Sequence, residues 1–254
     1  MDEHLLFDFK TDISGMAIPE KLNNPFGSFI PEIARIAAKE LQEFIVIESQ
    51  NWEHDFSIHR GKMFGVLVVQ KEDLSYSYLG TFSGRLEGNT PYGKFLPSIF
   101  DDSVDDFFMN RGMTELTKMG RQIEQSTDQE EISDLREKRK LKSHGLQRQL
   151  FENYRFQNLY GLEKNVIEIF EDSLNDYPPS AAGECAAPKL LQHAFVNQLK
   201  PIALAEFWWG KPNKNKDRDH EVFYPACTKR CRPILEFMLE DAGLYRDREG
   251  ESER

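Results

Sequence analysis

Apolar residues recur at three- and four-residue spacing between positions 31 and 49. Ile33, Ile36, Ala37, Leu41, Phe44 and Ile45 fall on one side of a helical wheel. Pro31 suits the first turn of that amphipathic helix, where a missing N–H is tolerated. The pattern then changes period. Lys62-Met-Phe-Gly-Val-Leu-Val-Val-Gln70 is too rich in β-branched residues for a helix of that length and predicts a buried strand. A polar turn at Lys71-Glu-Asp73 leads into Ser75-Tyr-Ser-Tyr-Leu-Gly-Thr-Phe-Ser83, which alternates and closes a hairpin. Gly84, Gly88, Pro91, Gly93 and Pro97 make 84–104 a long loop, and residues 1–29 read as an extended segment wrapped on the body.

From about 105 to 157 the chain is polar, charged and free of proline, with sparse apolar anchors such as Leu116, Ile123, Leu135 and Leu150. This predicts one long helix, or a helical hairpin broken near Ser143-His-Gly145. Beyond it come a short amphipathic helix from Leu162 to Phe170, a helix over 183–198, a strand over 201–209, a polar loop over 210–221 and a helix over 228–241. The division that results is an α/β body made of 1–104 and 158–245, a helical arm at 105–157 inserted in it, and a frayed charged tail at 246–254.

With the arm set aside, the order is helix, β-hairpin, helix, strand, helix. A strand that follows a helix can join the hairpin through a crossover, and helices can cover both faces. The fold class is therefore α/β (α+β) with three layers. That order resembles the core of the cytidine-deaminase-like fold. There, one helix begins with a His/Cys-x-Glu motif and a later one with Pro-Cys-x-x-Cys, and together they hold a catalytic zinc. Glu184-Cys185 and Pro225-Ala-Cys-Thr-Lys-Arg-Cys231 stand at corresponding places, but neither motif is intact. If Cys185 is a ligand, the catalytic glutamate position holds Ala187; if Glu184 is the acid/base group, the ligand position holds Ala182. The crossover brings both helix starts to one edge of the sheet, so Cys185, Cys227 and Cys231 are expected in one neighbourhood, either as small buried thiols with no cofactor or as a zinc site with His193 and His220 as candidate fourths.

Composition narrows the alternatives. The formal charge of −11 argues against a uniformly basic nucleic-acid binder. Against that background, Arg136 to Arg155 holds seven Lys or Arg beside Glu137 and Glu152, a basic island. It reads either as a solvated helix face or as an arm that contacts RNA phosphates through Lys138, Arg139, Lys140 and Lys142. Three cysteines in 254 residues do not make a disulfide framework, and no apolar run approaches the roughly 20 residues of a membrane span. A reducing, cytoplasmic setting without membrane contact is expected. The 19 phenylalanines predict an aromatic core.

Three further sites stand out. Trp208 and Trp209 end the last strand beside Lys211, Lys214 and Lys216. Adjacent strand residues face opposite sides, so Trp209 near Lys211 is a candidate to stack an RNA base. Glu206 lies within an apolar strand and needs a partner, for which Arg85 and Lys62 are candidates. Arg85 follows a strand end in a Ser-Gly-Arg loop and suits a phosphate or carboxylate clamp.

Longer strings carry a resemblance. Asp8-Phe-Lys-Thr-Asp-Ile-Ser14, Gly61-Lys-Met-Phe-Gly-Val-Leu-Val-Val69, Phe82-Ser-Gly-Arg-Leu-Glu-Gly88, Gly183-Glu-Cys-Ala-Ala-Pro-Lys-Leu-Leu191, Ala205-Glu-Phe-Trp-Trp-Gly210 and Phe223-Tyr-Pro-Ala-Cys227 run over nearly the whole chain. Together they resemble the N-terminal region of a long bacterial subgroup of RluA-family RNA pseudouridine synthases. The resemblance implies an accessory or RNA-recognition module that precedes the isomerase domain, with rRNA or tRNA and that catalytic domain as partners. It also implies that the catalytic aspartate, carried by an Arg-Leu-Asp motif of the isomerase, is not among these residues; Arg85-Leu-Glu87 belongs to the N-terminal pattern. The alternative is a zinc-dependent deaminase-like hydrolase, or a purely structural version of that fold.

Overall fold

The structure, a computed structural model, describes residues 3–84, 86, 93–99, 108–174 and 176–239. Its centre is a four-stranded antiparallel sheet in the order β1-β3-β2-β6. The strands are β1 (Leu6–Asp8), β2 (Lys62–Gln70), β3 (Tyr76–Phe82) and β6 (Lys200–Trp209). Six helices surround it among the described residues: α1 (Glu32–Glu48), α2 (Phe108–Gln125), α3 (Gln129–Asn153), α4 (Val166–Leu174), α5 (Ala186–Val196) and α6 (Arg232–Leu239). A small hairpin, β4 (Arg155–Gln157) with β5 (Glu163–Asn165), links the arm to α4. The mixed α/β class expected from the hydrophobic pattern is present.

The pleat of β2 explains the layering. Phe64, Val66 and Val68 face one side and pack with Ile33, Ala37, Leu41 and Ile45 of α1. Leu67 and Val69 face the other side, with Leu190 and Leu191 of α5 and Ile234 and Leu235 of α6. A strand covered on both faces needs an unbroken apolar run, which is what 62–70 supplies. The aromatic expectation holds on the α1 side, where Phe7, Phe64, Phe82, Phe95 and Phe207 are all buried. A carboxylate also enters that layer. Glu40 of α1 is buried and accepts from the Lys10 and Thr11 backbone N–H groups, at 3.1 and 2.8 Å, and from the Tyr78 hydroxyl at 3.3 Å. These bonds anchor the N-terminal wrap and satisfy an otherwise costly charge.

Several boundaries differ from the sequence reading. The N-terminal segment contributes β1 as a further strand, paired with β3 through Leu6, Phe7 and Asp8. The helical hairpin turns at Ser126–Asp128, not near Gly145: Asp128 caps α3 by accepting from the Glu130 N–H at 2.9 Å, and α3 continues through Ser143-His-Gly145. Gly145 lies on an exposed face where nothing crowds it, so the helix tolerates it. Gly112 of α2 meets the Leu146 side chain of α3, so a small residue there lets the two helices pack. The arm ends at Asn153, because Arg155–Gln157 pairs with Glu163–Asn165. This pairing also moves the next helix from 162–170 to Val166–Leu174. The charged tail 246–254 lies outside the described residues.

The outer edge of β6 is covered by loops. Asn23 brackets Leu204, accepting its N–H at 2.8 Å and donating to its carbonyl at 3.0 Å. The Trp208 N–H donates to the Val222 carbonyl and the Tyr224 N–H to the Glu206 carbonyl, each at 3.0 Å. A strand edge closed this way offers no template for pairing with another chain.

One contact sets the height of α5 above the sheet. A Cβ on Gly65 would lie 3.0 Å from both Ala186 Cβ and Leu190 Cδ1. Gly65→Val should therefore destabilise the fold by about 2–3 kcal/mol through overpacking. Urea unfolding measures this, and a variant as stable as wild type would mean that α5 does not rest on β2 at this point.

Candidate metal centre

The site lies at the end of the sheet where β2 begins and β3 and β6 end. Three short segments meet there. The first is the turn before α5, where Gly183 adopts φ +92° against the Tyr154 ring and Cys185 forms the N-cap with no side-chain capping bond. The Glu184 carbonyl accepts from the Gly84 N–H at 2.8 Å, which ties this turn to the exit of β3. The other two are the strap along β6 and the turn before α6. Their path is fixed where the Ala226 N–H donates to the Pro25 carbonyl at 2.8 Å. Cys227 and Cys231 then close one turn, with the Cys231 N–H donating to the Cys227 carbonyl at 3.3 Å. The Leu235 N–H donates to the Cys231 carbonyl at 2.8 Å, so α6 grows directly from this turn.

The three sulfurs meet. Cys185, Cys227 and Cys231 Sγ lie within 4.8 Å of one another, and the Cys227 and Cys231 sulfurs are 3.3 Å apart. Three thiolates bound tetrahedrally at about 2.3 Å would stand roughly 3.8 Å apart, so the donor set fits zinc. Among the described residues no His, Asp or Glu completes the cluster. His220 is used elsewhere: its Nδ1 accepts from the Gly210 N–H at 2.9 Å and its ring lies 4.3 Å from that of Trp209. His193 sits in the last turn of α5, away from the helix head. These three residues would hold the ion, and a tetrahedral zinc would take a fourth donor or a water.

The thiols titrate as a unit. Hydrogen bonds shared with Cys185 and Cys231 hold Cys227 far down. Cys185 is pushed up by donating to Cys227, and Cys231 by its bonds to both partners and by burial.

Two charged groups border the cluster. Glu206 on β6 accepts from the Ala187 N–H at 3.2 Å. This bond comes from an N–H group at the helix head; of the partners expected from the sequence, Arg85 lies outside the described residues. Burial raises Glu206 from an ordinary 4.5 to about 8, with a further upward push from Cys227. Lys189, one turn along α5 from Cys185, is buried and its Nζ has no hydrogen-bond partner among the described residues. Burial lowers it from 10.5 to about 8, opposed by Glu184 and Cys185. Neither group was singled out for this site from the sequence; a Glu in an apolar strand and a Lys on an apolar helix face were the available signals.

Glu184 is engaged by the Tyr154 hydroxyl and, at 3.4 Å, by Ser98 Oγ, so its carboxylate is held by structure beside the thiols. Trp209 is only 7% exposed, because it packs in the α1-side core with the His220 ring against it, so the exposed base-stacking ring expected there is not what the structure has. Trp208 is 6% exposed and its indole N–H donates to the Lys211 carbonyl at 2.8 Å. Lys211 is exposed and its ammonium donates to the Ile58 carbonyl at 3.3 Å. On the arm, Lys138 and Lys140 are exposed. Arg139 instead donates to the Leu116 carbonyl at 3.2 Å and Lys142 pairs with Glu115, both across the hairpin. Arg85 lies outside the described residues. No described helix is long and apolar enough to cross a membrane.

No family model matches this chain, and neither a curated protein nor a solved structure is detectably similar to it.

Glu206 makes stability depend on pH. A carboxyl raised from 4.5 to about 8 on folding contributes stability that is full below about 4.5 and lost as pH rises through about 8. Metal-free protein should therefore lose stability from about pH 5 to 8, and Glu206→Gln should flatten that decline. Urea midpoints at a series of pH values test this; parallel curves for the two proteins would show that Glu206 is ionised throughout.

Proposed function

We propose that this chain binds one zinc ion through Cys185, Cys227 and Cys231, within a deaminase-like framework that serves as the accessory, RNA-recognition region of an RluA-type pseudouridine synthase. The observation that carries the reading is the meeting of three sulfurs within 4.8 Å at the heads of α5 and α6. The element order α1, β2–β3 hairpin, α5, β6, α6 supports the framework, and the strings quoted above support the family. Zinc would replace the shared protons of the three thiols, and its binding would stabilise the turn on which α6 is built.

A hydrolytic role is the second reading, favoured by the open fourth position and by Glu206. Zinc supplies Lewis acidity to a water at such a position. The motif position for an acid/base glutamate holds Ala187, yet the Ala187 N–H binds the Glu206 carboxylate. The carboxyl that the helix lacks is thus brought to its head by the adjacent strand. Its raised affinity for protons near neutral pH suits taking up and returning a proton.

Elemental analysis of protein grown in zinc-replete medium should find about one zinc per chain, falling several-fold in Cys227→Ser and Cys231→Ser. Folded wild-type protein without zinc, and unable to take it up, would sink the metal reading.

The RNA role is tested on the arm. Lys138 and Lys140 are exposed, whereas Arg139 and Lys142 bond across the hairpin. Replacing Lys138 and Lys140 with Ala should reduce the log–log salt slope of RNA binding by about 1.4–1.8, two phosphate contacts' worth. An unchanged slope would remove the arm from the RNA surface, and no binding at moderate salt would leave a scaffold role.

A further inference from the structure

A pocket of about 180 Å³ opens beside Cys185 at the same end of the sheet. Arg60, Lys62 and Arg230 line it, and Glu184 is the acid in its wall. Three cations against one carboxylate leave a local formal charge of +2, on a chain whose total is −11. Neither Arg60 nor Arg230 has an ion-pair partner among the described residues, and both side chains are exposed. Glu184, which accepts from the Tyr154 and Ser98 hydroxyls, offsets only one of the three charges.

A second observation points the same way. The Lys189 ammonium is 2% exposed and has no hydrogen-bond partner among the described residues. It interacts electrostatically with Glu184, Cys185 and Lys62, all of which line the pocket. The ammonium lies 5.4 Å from the centre of the Phe82 ring, and the like charge of Lys62 opposes it, so an anion bound in the adjacent pocket would offset repulsion at this end of the sheet. The head of α5, with its positive helix end, lies at the same place. Two guanidinium forks match the oxygens of a phosphate in a way that ammonium groups alone do not.

We propose that this pocket binds the phosphate group of a small phosphorylated molecule, with Arg60 and Arg230 clamping its oxygens and Lys62 and Lys189 supplying the remaining positive charge. The site is concave and local, and the net charge of the chain is strongly negative. A compact dianion therefore suits it better than a long polyanion, whose flanking phosphates would meet acidic surface. The proposal goes beyond the zinc reading and does not require it, because neither arginine is a thiol ligand. Taken with that reading, it would place a phosphorylated ligand beside Cys185.

Isothermal titration calorimetry tests it with inorganic phosphate, ribose 5-phosphate and ribose as probes. Saturable binding of the two phosphates and none of ribose is expected. The double variant Arg60→Ala, Arg230→Ala should weaken phosphate binding by about tenfold or more. Both side chains are exposed, so matching circular dichroism and urea midpoints will show that the variant still folds. Absence of saturable phosphate binding at millimolar concentration, or equal affinity in the double variant, would overturn the proposal. So would tighter binding of a 5′-hydroxyl oligoribonucleotide through the same two arginines, which would assign the pocket to a strand. Repeating the titration on Cys227→Ser protein separates the two readings: phosphate binding retained without zinc supports this pocket whatever the fate of the metal centre, and phosphate binding lost with the zinc alone, both arginines intact, overturns it.

Discussion

The first turn of α5 rests on the bare backbone of β2 at Gly65, and the site is built from that contact. With no side chain between them, Ala186 and Leu190 come down onto the strand. The Ala187 N–H then reaches Glu206 on the neighbouring strand, and Cys185 reaches the turn that carries Cys227 and Cys231. A bulkier residue in β2 would lift the helix head and separate one sulfur from the other two. The same closeness excludes water, which is why a carboxyl and an ammonium of ordinary type become perturbed there.

That perturbation has an energetic meaning. Glu206 has one hydrogen bond to the backbone, and Lys189 has none among the described residues. Apolar residues in either place would serve the core better. These departures from the packing rule gather at one end of the sheet, beside the three converging thiols and the cationic pocket on which the proposed sites rest. The opposite face of the sheet is its contrast: α1 packs there on aromatic and aliphatic side chains, and its buried carboxylate, Glu40, is satisfied by two backbone N–H groups and a hydroxyl.

The arm follows different physics. Its two helices bury little, with Leu116 and Phe151 the clearest anchors, and they hold together through the Gly112–Leu146 contact and polar bonds across the hairpin. Those bonds use part of the basic island, so its charge is not all available to a partner. A run of cations in sequence says only that charge is near the surface; which of it is spent internally depends on the neighbouring helix.

Local pattern was enough for the elements whose stability is local or whose burial is complete. The 3.6-residue period of α1, the β-branched run of β2 and the alternation of β3 each specify one structure, and the helix–strand–helix crossover places two helix heads at one edge, which is why the meeting of the cysteines was legible. Elements of three residues were not. β1, β4 and β5 are too short to have a period and exist because a distant strand offers them hydrogen bonds. The turn of the arm was missed because a cap at Asp128 outweighs a glycine in an exposed helix face. The burial of Trp209, the bond from Ala187 to Glu206 and the burial of Lys189 over the Phe82 ring belong to the tertiary structure alone. Each depends on which side chains and backbone groups arrive from elsewhere in the chain, and no local sequence window contains that information.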